Sequence, residues 1–403
     1  MIKIQISNVE QRKQDYINAI TNRVAIRVSV LSKSLSHLNG DAVNFDSGDF
    51  RSFKAVTKNI FEIIEDVVAM PDGRDGYTDT INDYLRAANQ LGDINIHGLI
   101  QFCDDMLVHD NEQLSELLVC EAAILMNENE RILNHSGLNT VKNIAVLKLA
   151  FDYEKYNADI SSHIRGYFRD KEFVKFCPYC NTKAAVHNVN AGGEVIDSYQ
   201  LDHFYDKARY PLLSYSLFNL VPSDHTCNVT NKGVTEFTDE YHINPHVSGF
   251  TDQIKFIPVG LNADYDVDRI ELEIIEAQGS VLYKKINGNN RPEQELGDLG
   301  NLNVFKIRSK HSGENHRART ILKTLNTNNS YRKHIKKYLR SLTGTDIKDA
   351  YKKWYEKELN VCFNPLNFND KAYSKFSRDI HDHYYSMNRT MINSYIIELM
   401  DDH

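Results

Sequence analysis

The chain has 403 residues and a formal net charge of −8, a length that typically makes roughly two or three domains with at least one full-sized core. Hydrophobic residues make up 41% and charged residues 25% of it, which excludes wholesale disorder and a collagen-like or disulfide-dense fold. Its apolar runs fall far short of the roughly 20 residues of a membrane span, and its first residues lack the pattern of a signal peptide. We therefore expect a cytoplasmic protein.

The predicted elements begin with helices. Apolar residues recur at helical spacing, and helices are predicted over 52–70, 80–91, 112–127 and 141–169. From 177 to 286 the pattern changes to short strands separated by turn residues. We expect a hairpin of 184–189 and 194–201 around an Asn-Ala-Gly-Gly turn, and further strands at 253–257, 270–275 and 281–286. From 315 onward the helical period returns.

This order predicts an α+β protein in which helical regions flank a small mixed module. The expected domains are a helical one at 1–170, a module with accessory strands at 171–300, and a basic helical region at 301–403.

Three of the six cysteines have a sequence spacing that suits a metal site. Six cysteines are too few for a disulfide framework in a chain of this length. Cys177 and Cys180 form a Cys-x-x-Cys pair, and Cys227 lies downstream in an Asp-His-Thr-Cys segment. Three thiolates and one further ligand suit tetrahedral zinc. The fourth ligand is Asp224 by its x-x spacing from Cys227, or else His225.

Between the two cysteine segments lie residues suited to phosphodiester hydrolysis. That reaction uses a divalent cation, a neutral imidazole that deprotonates water, and a group that fixes the imidazole. Asp202, His203, Asn219 and Asn228 offer these functions if a zinc cluster folds the two segments together.

The ordered run from 177 to 233 resembles the HNH endonucleases of the ββα-metal class that carry a zinc-binding cysteine cluster. The resemblance implies that Asp202 binds a catalytic Mg²⁺ or Mn²⁺ and that His203 is the general base. It also implies that Asn219 holds the loop and the histidine in place, and that Asn228 is the second protein ligand of that metal. Asp224 stands where the zinc-binding members of the family have their third cysteine.

A looser resemblance lies downstream. The segment 241–246 followed by a strand is similar to the HNH proteins of Septu-type bacterial anti-phage systems, including those found beside retrons. This similarity implies an ATPase partner and a DNA or RNA target. His242 and His246 within it are interpreted as surface or capping residues. A second hypothesis for the whole chain is a non-catalytic, zinc-stabilised nucleic-acid-binding module.

Basic residues supply the expected contacts to nucleic acid. Lys207, Arg209 and Lys232 lie within a few residues of the candidate catalytic positions. Residues 301–340 contain eleven lysines and arginines against one acidic residue, which fits either a phosphate-binding face or a solvated basic helix. The candidates on its predicted helix are Arg332, Lys333, Lys336 and Lys337.

Salt dependence separates the two interpretations of the basic segment. Each phosphate contact removed lowers the slope of log affinity against log salt by about 0.7–0.9. Changing Lys333, Lys336 and Lys337 to Gln is therefore expected to flatten the slope by about two units, measured by fluorescence anisotropy with labelled nucleic acid. An unchanged slope would identify the segment as a solvated helix.

Overall fold

The structure is a computed structural model that describes residues 1–44, 94–151, 153, 158–171, 174–185, 187–189, 195–233, 235–288, 300–326, 356–357 and 361–401. It combines helices with small antiparallel sheets, so the predicted α+β class is confirmed. The predicted helices at 52–70 and 80–91, and the basic candidates between 331 and 340, lie outside the described residues.

Helices form the described part of the first 171 residues. They are α1 (Val9–Leu38), α2 (Ile96–Leu118), α3 (Leu125–His135), α4 (Val141–Phe151) and α5 (Ala158–Lys171). Helix α1 packs against α2, α4 and α5, and its side chains Tyr16, Ile20 and Val24 are fully buried there.

Two of the predicted helices differ from the observed helices in where they begin or end. The helix expected over 112–127 is correct in its start, because non-helical residues Val108–Asn111 interrupt α2, but wrong in its end, because α2 ends at Leu118 and α3 begins only at Leu125. A turn between them changes the direction of the chain, so that both leucines are buried in the same core. The helix expected over 141–169 is likewise divided into α4 and α5.

The strands pair into three two-stranded antiparallel sheets within the described residues. The predicted hairpin is confirmed by β1 (His187–Val189) and β2 (Val195–Asp197). Next come β3 (Gln200–His203) with β4 (Leu220–Ser223), and β5 (Ile254–Val259) with β6 (Arg269–Ile274). The last pair confirms the strands expected at 253–257 and 270–275.

The strand expected at 281–286 is wrong. These residues begin helix α6 (Val281–Asn287), because the side chain of Ser280 caps the helix by accepting a hydrogen bond from Tyr283 N at 3.0 Å. Only Ile286 of this helix is buried, so few packing contacts favour a strand over the helix that Ser280 begins. The later helices are α7 (Asn301–Val304), α8 (Ile307–Ser312), α9 (Asn315–Asn326) and α10 (Ser374–Asp401).

One continuous hydrophobic core connects the three predicted regions. It includes Tyr16 of α1, Leu220 of β4 and Phe376 of α10. The domain limits at 170 and 300 stay predictions. In the described part of the chain, no helix has the length and apolar character needed to cross a membrane.

The first residues are bonded through their backbone to later parts of the chain. Ile2 N donates a hydrogen bond to Pro178 O at 2.7 Å, and Phe250 N donates to Met1 O at 3.0 Å. Gly249 permits this close approach, since a Cβ there would lie 2.5 Å from Lys3 N. The segment thereby covers the turn that carries the first two cysteines.

The close approach at Gly249 predicts a stability effect. Gly249→Ala forces backbone against backbone, and it is expected to lower the free energy of unfolding by about 1–3 kcal/mol in urea denaturation. Gly313→Ala is the matched control, because a Cβ at Gly313 would meet nothing within 4 Å. Equal effects of the two variants would contradict the packing described for residues 1–4.

Candidate metal centre and active site

Four buried side chains converge where the two cysteine segments meet. The possible ligand atoms of Cys177, Cys180, Asp224 and Cys227 all lie within 4.8 Å of one another. His225, the alternative fourth ligand, is exposed and lies outside this cluster. The structure therefore assembles a Cys₃Asp cluster that could hold a metal ion such as zinc.

Local backbone geometry builds both halves of the cluster. In the first half, Asn181 N donates to Cys177 O at 2.7 Å, and Asn181 adopts a left-handed conformation that closes the turn. In the second half, Asp224 Oδ1 accepts hydrogen bonds from the backbone of Thr226 at 3.0 Å and Cys227 at 3.3 Å. Asp224 Oδ2 lies 3.4 Å from Cys180 Sγ. One carboxylate thus caps a helix and faces the thiols at the same time.

The surroundings of the cluster suit a charged metal–thiolate group. Lys310 Nζ lies 2.9 Å from Cys227 Sγ, and Thr182 Oγ1 lies 3.2 Å from Cys180 Sγ. Three thiolates and a carboxylate carry four negative charges, and a zinc ion balances only two of them. The ammonium of Lys310 reduces the remainder, so the donor set and its neighbours fit zinc.

The candidate catalytic residues follow a strand–strand–helix order. Asp202 and His203 are the last two residues of β3, and they pair with Val221 and Leu220 of β4. Asp224 follows β4 and precedes the short π-helix Thr226–Lys232. The Cys₃Asp cluster therefore holds this helix beside the two strands.

Asp202 is buried and accepts hydrogen bonds from two side chains. Lys232 Nζ lies 2.8 Å from its Oδ1 and 2.9 Å from its Oδ2, and Tyr179 donates its hydroxyl to Oδ2 at 2.5 Å. Burial raises the pKa of Asp202 above its ordinary value, and the opposing effects of Lys232 and Tyr179 are smaller. Tyr179 belongs to the Cys-x-x-Cys turn, so this one side chain connects the Cys₃Asp cluster to Asp202.

His203 is held by its ring nitrogen on the other side of the strand. Its Nε2 lies 3.0 Å from Ser214 O, and the ring of Tyr153 meets the imidazole edge-on at a centroid distance of 4.6 Å. Burial, aided by the charge of Lys207, keeps the pKa of His203 well below its usual range. The imidazole is therefore neutral at neutral pH, with a proton on Nε2 and a free lone pair on Nδ1.

Asn219 fixes the loop that positions His203. Its Oδ1 accepts a hydrogen bond from Tyr205 N at 2.8 Å, and its Nδ2 donates to Tyr205 O at 3.1 Å and Leu213 O at 3.0 Å. Leu213 precedes Ser214, whose carbonyl oxygen holds the imidazole. The side chain is completely buried, and we expect it to act by positioning rather than by contact with substrate.

Asn228 and Lys232 project from the same helix towards the same face of β3. Asn228 Nδ2 donates to Gln200 Oε1 at 3.0 Å, and Lys232 contacts Asp202, two residues further along the strand. Residues two apart share one face of a strand. The arrangement therefore places Asn228 on the side of Asp202, while His203 faces the opposite side.

The expected phosphate contacts near the site differ in accessibility. Lys207 is half-buried with its ammonium 5.5 Å from the centre of the Tyr153 ring, close to His203. Arg209 is exposed and forms an ion pair with Glu236 at 2.8 Å. Lys232 does not match the expectation, because its side chain is only 6% exposed and its ammonium is bonded inside the protein.

The histidines further downstream are structural. His242 is buried and stacks on Phe237 at 3.9 Å, and His246 Nε2 lies 2.9 Å from Leu220 O. Of the two interpretations, surface or capping, His242 is not a surface residue, but its Nδ1 does accept a hydrogen bond from Thr238 N at 3.2 Å. Its ring fills the space beside a phenylalanine that also contacts the ammonium of Lys232.

Sequence reasoning missed two residues of the site. Tyr179 was part of the Cys-x-x-Cys motif only as a spacer, and nothing in the sequence indicated that its hydroxyl reaches Asp202. Lys310 was counted only among the basic residues of 301–340, although its ammonium lies against the thiols. Neither contact leaves a pattern of sequence spacing that could have identified it.

Substitutions in the Cys₃Asp cluster and at Asp202 are expected to affect the zinc content differently. Elemental analysis of purified protein is expected to find about one zinc per chain. Cys180→Ser should lose that zinc and lower thermal stability, because a thiolate ligand is removed. Asp202→Asn should retain it, since Asp202 is not part of the Cys₃Asp cluster.

Asp224→Ala should also lose zinc, because Asp224 is the fourth side chain of the cluster, and His225→Ala is its control. Loss of zinc from His225→Ala, or from Asp202→Asn, would contradict the assignment of the ligands.

Comparisons with known proteins do not identify a family for this chain. No protein-family model matches the chain, and no solved structure matches it. Among curated proteins the chain is similar to "Protein ea31" of Escherichia phage lambda, with 24% identity over 216 residues. The matched region covers 52% of this chain and 64% of that protein, which is less than two thirds of its length.

Proposed function

We propose that the protein is a metal-dependent endonuclease of the HNH type, hydrolysing phosphodiester bonds in nucleic acid. The observation that carries this proposal is the pairing on β3 of a carboxylate that already binds a cation, Asp202, with an oriented neutral imidazole, His203. The strand–strand–helix order and the Cys₃Asp cluster support it, because they match the arrangement that the sequence motif implies.

His203 has the geometry of a general base. Its Nε2–H donates to Ser214 O, so Nδ1 remains to accept a proton from water. The water oxygen then attacks phosphorus as the bond to the leaving oxygen breaks. The imidazole does not have to lose a proton first, since burial already lowers its pKa.

The divalent ion would be held by Asp202 and Asn228. Four oxygen atoms already surround the ammonium of Lys232, namely both carboxylate oxygens of Asp202 and the main-chain oxygens of His203 and Phe204. An oxygen-lined position that holds a cation fits Mg²⁺ or Mn²⁺. When bound, such an ion supplies charge stabilisation to the phosphate and to the leaving oxygen.

Substrate has to reach both faces of β3. Asp202 and His203 are successive strand residues and therefore point to opposite sides, but the strand ends at His203. A phosphate that contacts both groups would lie across this end of the strand. Lys207 is near His203 there and is the basic residue best placed to contact it.

One observation favours the alternative, a non-catalytic nucleic-acid-binding module stabilised by zinc. Asp202 is 5% and His203 8% exposed, and the ammonium of Lys232 blocks the carboxylate. A binding module has no need for access to these groups. The two functions are distinguished by incubating pure protein with plasmid, single-stranded DNA and tRNA, with Mg²⁺ or Mn²⁺ and with chelator.

The resemblance to Septu-type proteins suggests a cellular role for the proposed nuclease. We propose that the protein is the effector of a bacterial anti-phage system and that it works with an ATPase partner. This part rests on the segment 241–246 and the strand that follows it. Cell survival during phage infection, compared between wild type and His203→Gln, tests it.

Replacing the base predicts loss of turnover. His203→Gln keeps a donor for Ser214 O but has no basic nitrogen, so cleavage should fall by about 10²–10⁴-fold while nucleic-acid affinity is retained. His246→Gln is the matched control, because His246 also holds a main-chain oxygen through Nε2. Cleavage by His203→Gln at the wild-type rate would exclude the role of general base.

A further inference from the structure

The ammonium of Lys232 lies where the proposed function places a metal ion. It is bonded to both oxygens of Asp202, at 2.8 and 2.9 Å, and to the main-chain oxygens of His203 and Phe204. The side chains of Lys232 and Asp202 are only 6% and 5% exposed. This ion pair neutralises a carboxylate that would otherwise be buried with an unbalanced charge.

The carboxylate has a second support that does not depend on the lysine. Tyr179 donates its hydroxyl to Asp202 Oδ2 at 2.5 Å, and its ring is stacked on Phe305 at a centroid distance of 4.0 Å. Since Tyr179 lies between Cys177 and Cys180, the metal cluster fixes its backbone on both sides. Asp202 would therefore keep its orientation if Lys232 moved away.

We propose that Lys232 is an exchangeable internal counter-ion, which holds Asp202 until a divalent cation displaces its ammonium. The inference rests on the proposed function, because it assigns a regulatory step to that same site. Lys232 sits at the end of the short helix, directly before Gly233, which has a positive φ of 49°. The lysine side chain is long and unbranched, so its ammonium can leave without movement of the strand.

The exchange has a defined consequence for metal affinity. A cation that must displace an ammonium binds more weakly than one that meets a free carboxylate, because part of its binding free energy is used for the displacement. The protein would therefore be inactive at low concentrations of divalent ion. Phosphate groups of a bound nucleic acid would favour the exchange by attracting the released ammonium.

The first test measures Mn²⁺ binding directly. In Lys232→Met, electron paramagnetic resonance titration is expected to show Mn²⁺ affinity about tenfold or more above that of wild type. Mn²⁺ should also raise the thermal transition of the variant more than that of wild type, because the ion neutralises Asp202. Unchanged or weaker Mn²⁺ binding by a folded, zinc-containing Lys232→Met protein would overturn the inference.

The chain contains a matched control for this test. Lys375 and Asp379 form another buried ion pair, with an Nζ–Oδ2 distance of 2.5 Å and exposed fractions of 5% and 4%. Lys375→Met likewise removes the lysine that pairs with a buried carboxylate, while Arg378 Nη2 remains 3.7 Å from Asp379 Oδ1. Mn²⁺ should not raise the thermal transition of Lys375→Met. Equal stabilisation of Lys375→Met and Lys232→Met would mean that Mn²⁺ binds any buried carboxylate that has lost its lysine, and it would overturn the inference.

A measurement on the wild-type protein covers the case in which Lys232→Met does not fold. Amine-selective acetylation followed by peptide mass spectrometry reports whether each lysine is accessible. Lys232 should be protected in the absence of divalent ions and become labelled at saturating Mn²⁺, while Lys375 stays protected throughout. Continued protection of Lys232 at saturating Mn²⁺ would overturn the inference.

The inference and the proposed function fail in different ways. Cleavage that depends on His203, together with no gain of Mn²⁺ affinity in Lys232→Met, would remove the inference and retain the nuclease. A gain of Mn²⁺ affinity without cleavage of any nucleic acid by wild type would retain the exchange and remove the nuclease.

Discussion

The convergence of three thiols and one carboxylate is the contact on which the candidate site depends. It joins two segments of the chain, and Cys180 and Asp224 in it are 44 positions apart. The strands between them, β3 and β4, have only four residues each, and a two-stranded hairpin of this size is marginally stable alone. Ligation at the cluster would fix the helix Thr226–Lys232 beside the strands and thereby bring Asn228 and Lys232 to the side of Asp202.

The same arrangement assembles the Cys₃Asp cluster and the oxygen donors of the proposed divalent-ion site. The Cys₃Asp cluster offers mainly soft sulfur donors, which suit zinc, whereas Asp202 and Asn228 offer oxygen atoms, which suit Mg²⁺ or Mn²⁺. Tyr179 connects the two sites, because it lies within the cysteine turn and its hydroxyl contacts Asp202. Loss of zinc would therefore disturb the orientation of the carboxylate as well as the stability of the module.

Features with local signals were predictable from the sequence. The turn chemistry between β1 and β2 predicted their hairpin, and the Cys-x-x-Cys spacing together with Cys227 predicted the cluster. Asp224 followed from its spacing, and the exposure of His225 agrees with that preference. The helix at Val281–Asn287 was missed because β-branched and aromatic residues suggested a strand, whereas the side chain of Ser280 decided the outcome by capping.

Features that depend on tertiary contacts were not predictable. Lys232 was expected to contact nucleic acid because it lies within a few residues of the candidate catalytic positions, but its ammonium contacts Asp202, 30 positions away in sequence. The burial of Tyr179 and the approach of Lys310 to the thiols are of the same kind. Each of these contacts joins residues far apart in sequence, so sequence spacing alone does not indicate it.

Anomalous X-ray scattering from crystals grown with Mn²⁺ tests the central claim most directly, because it locates each metal separately. The account predicts a zinc peak among Cys177, Cys180, Asp224 and Cys227, and a manganese peak at Asp202 and Asn228 with the ammonium of Lys232 displaced. A manganese peak elsewhere, with Lys232 still bonded to Asp202, would contradict it.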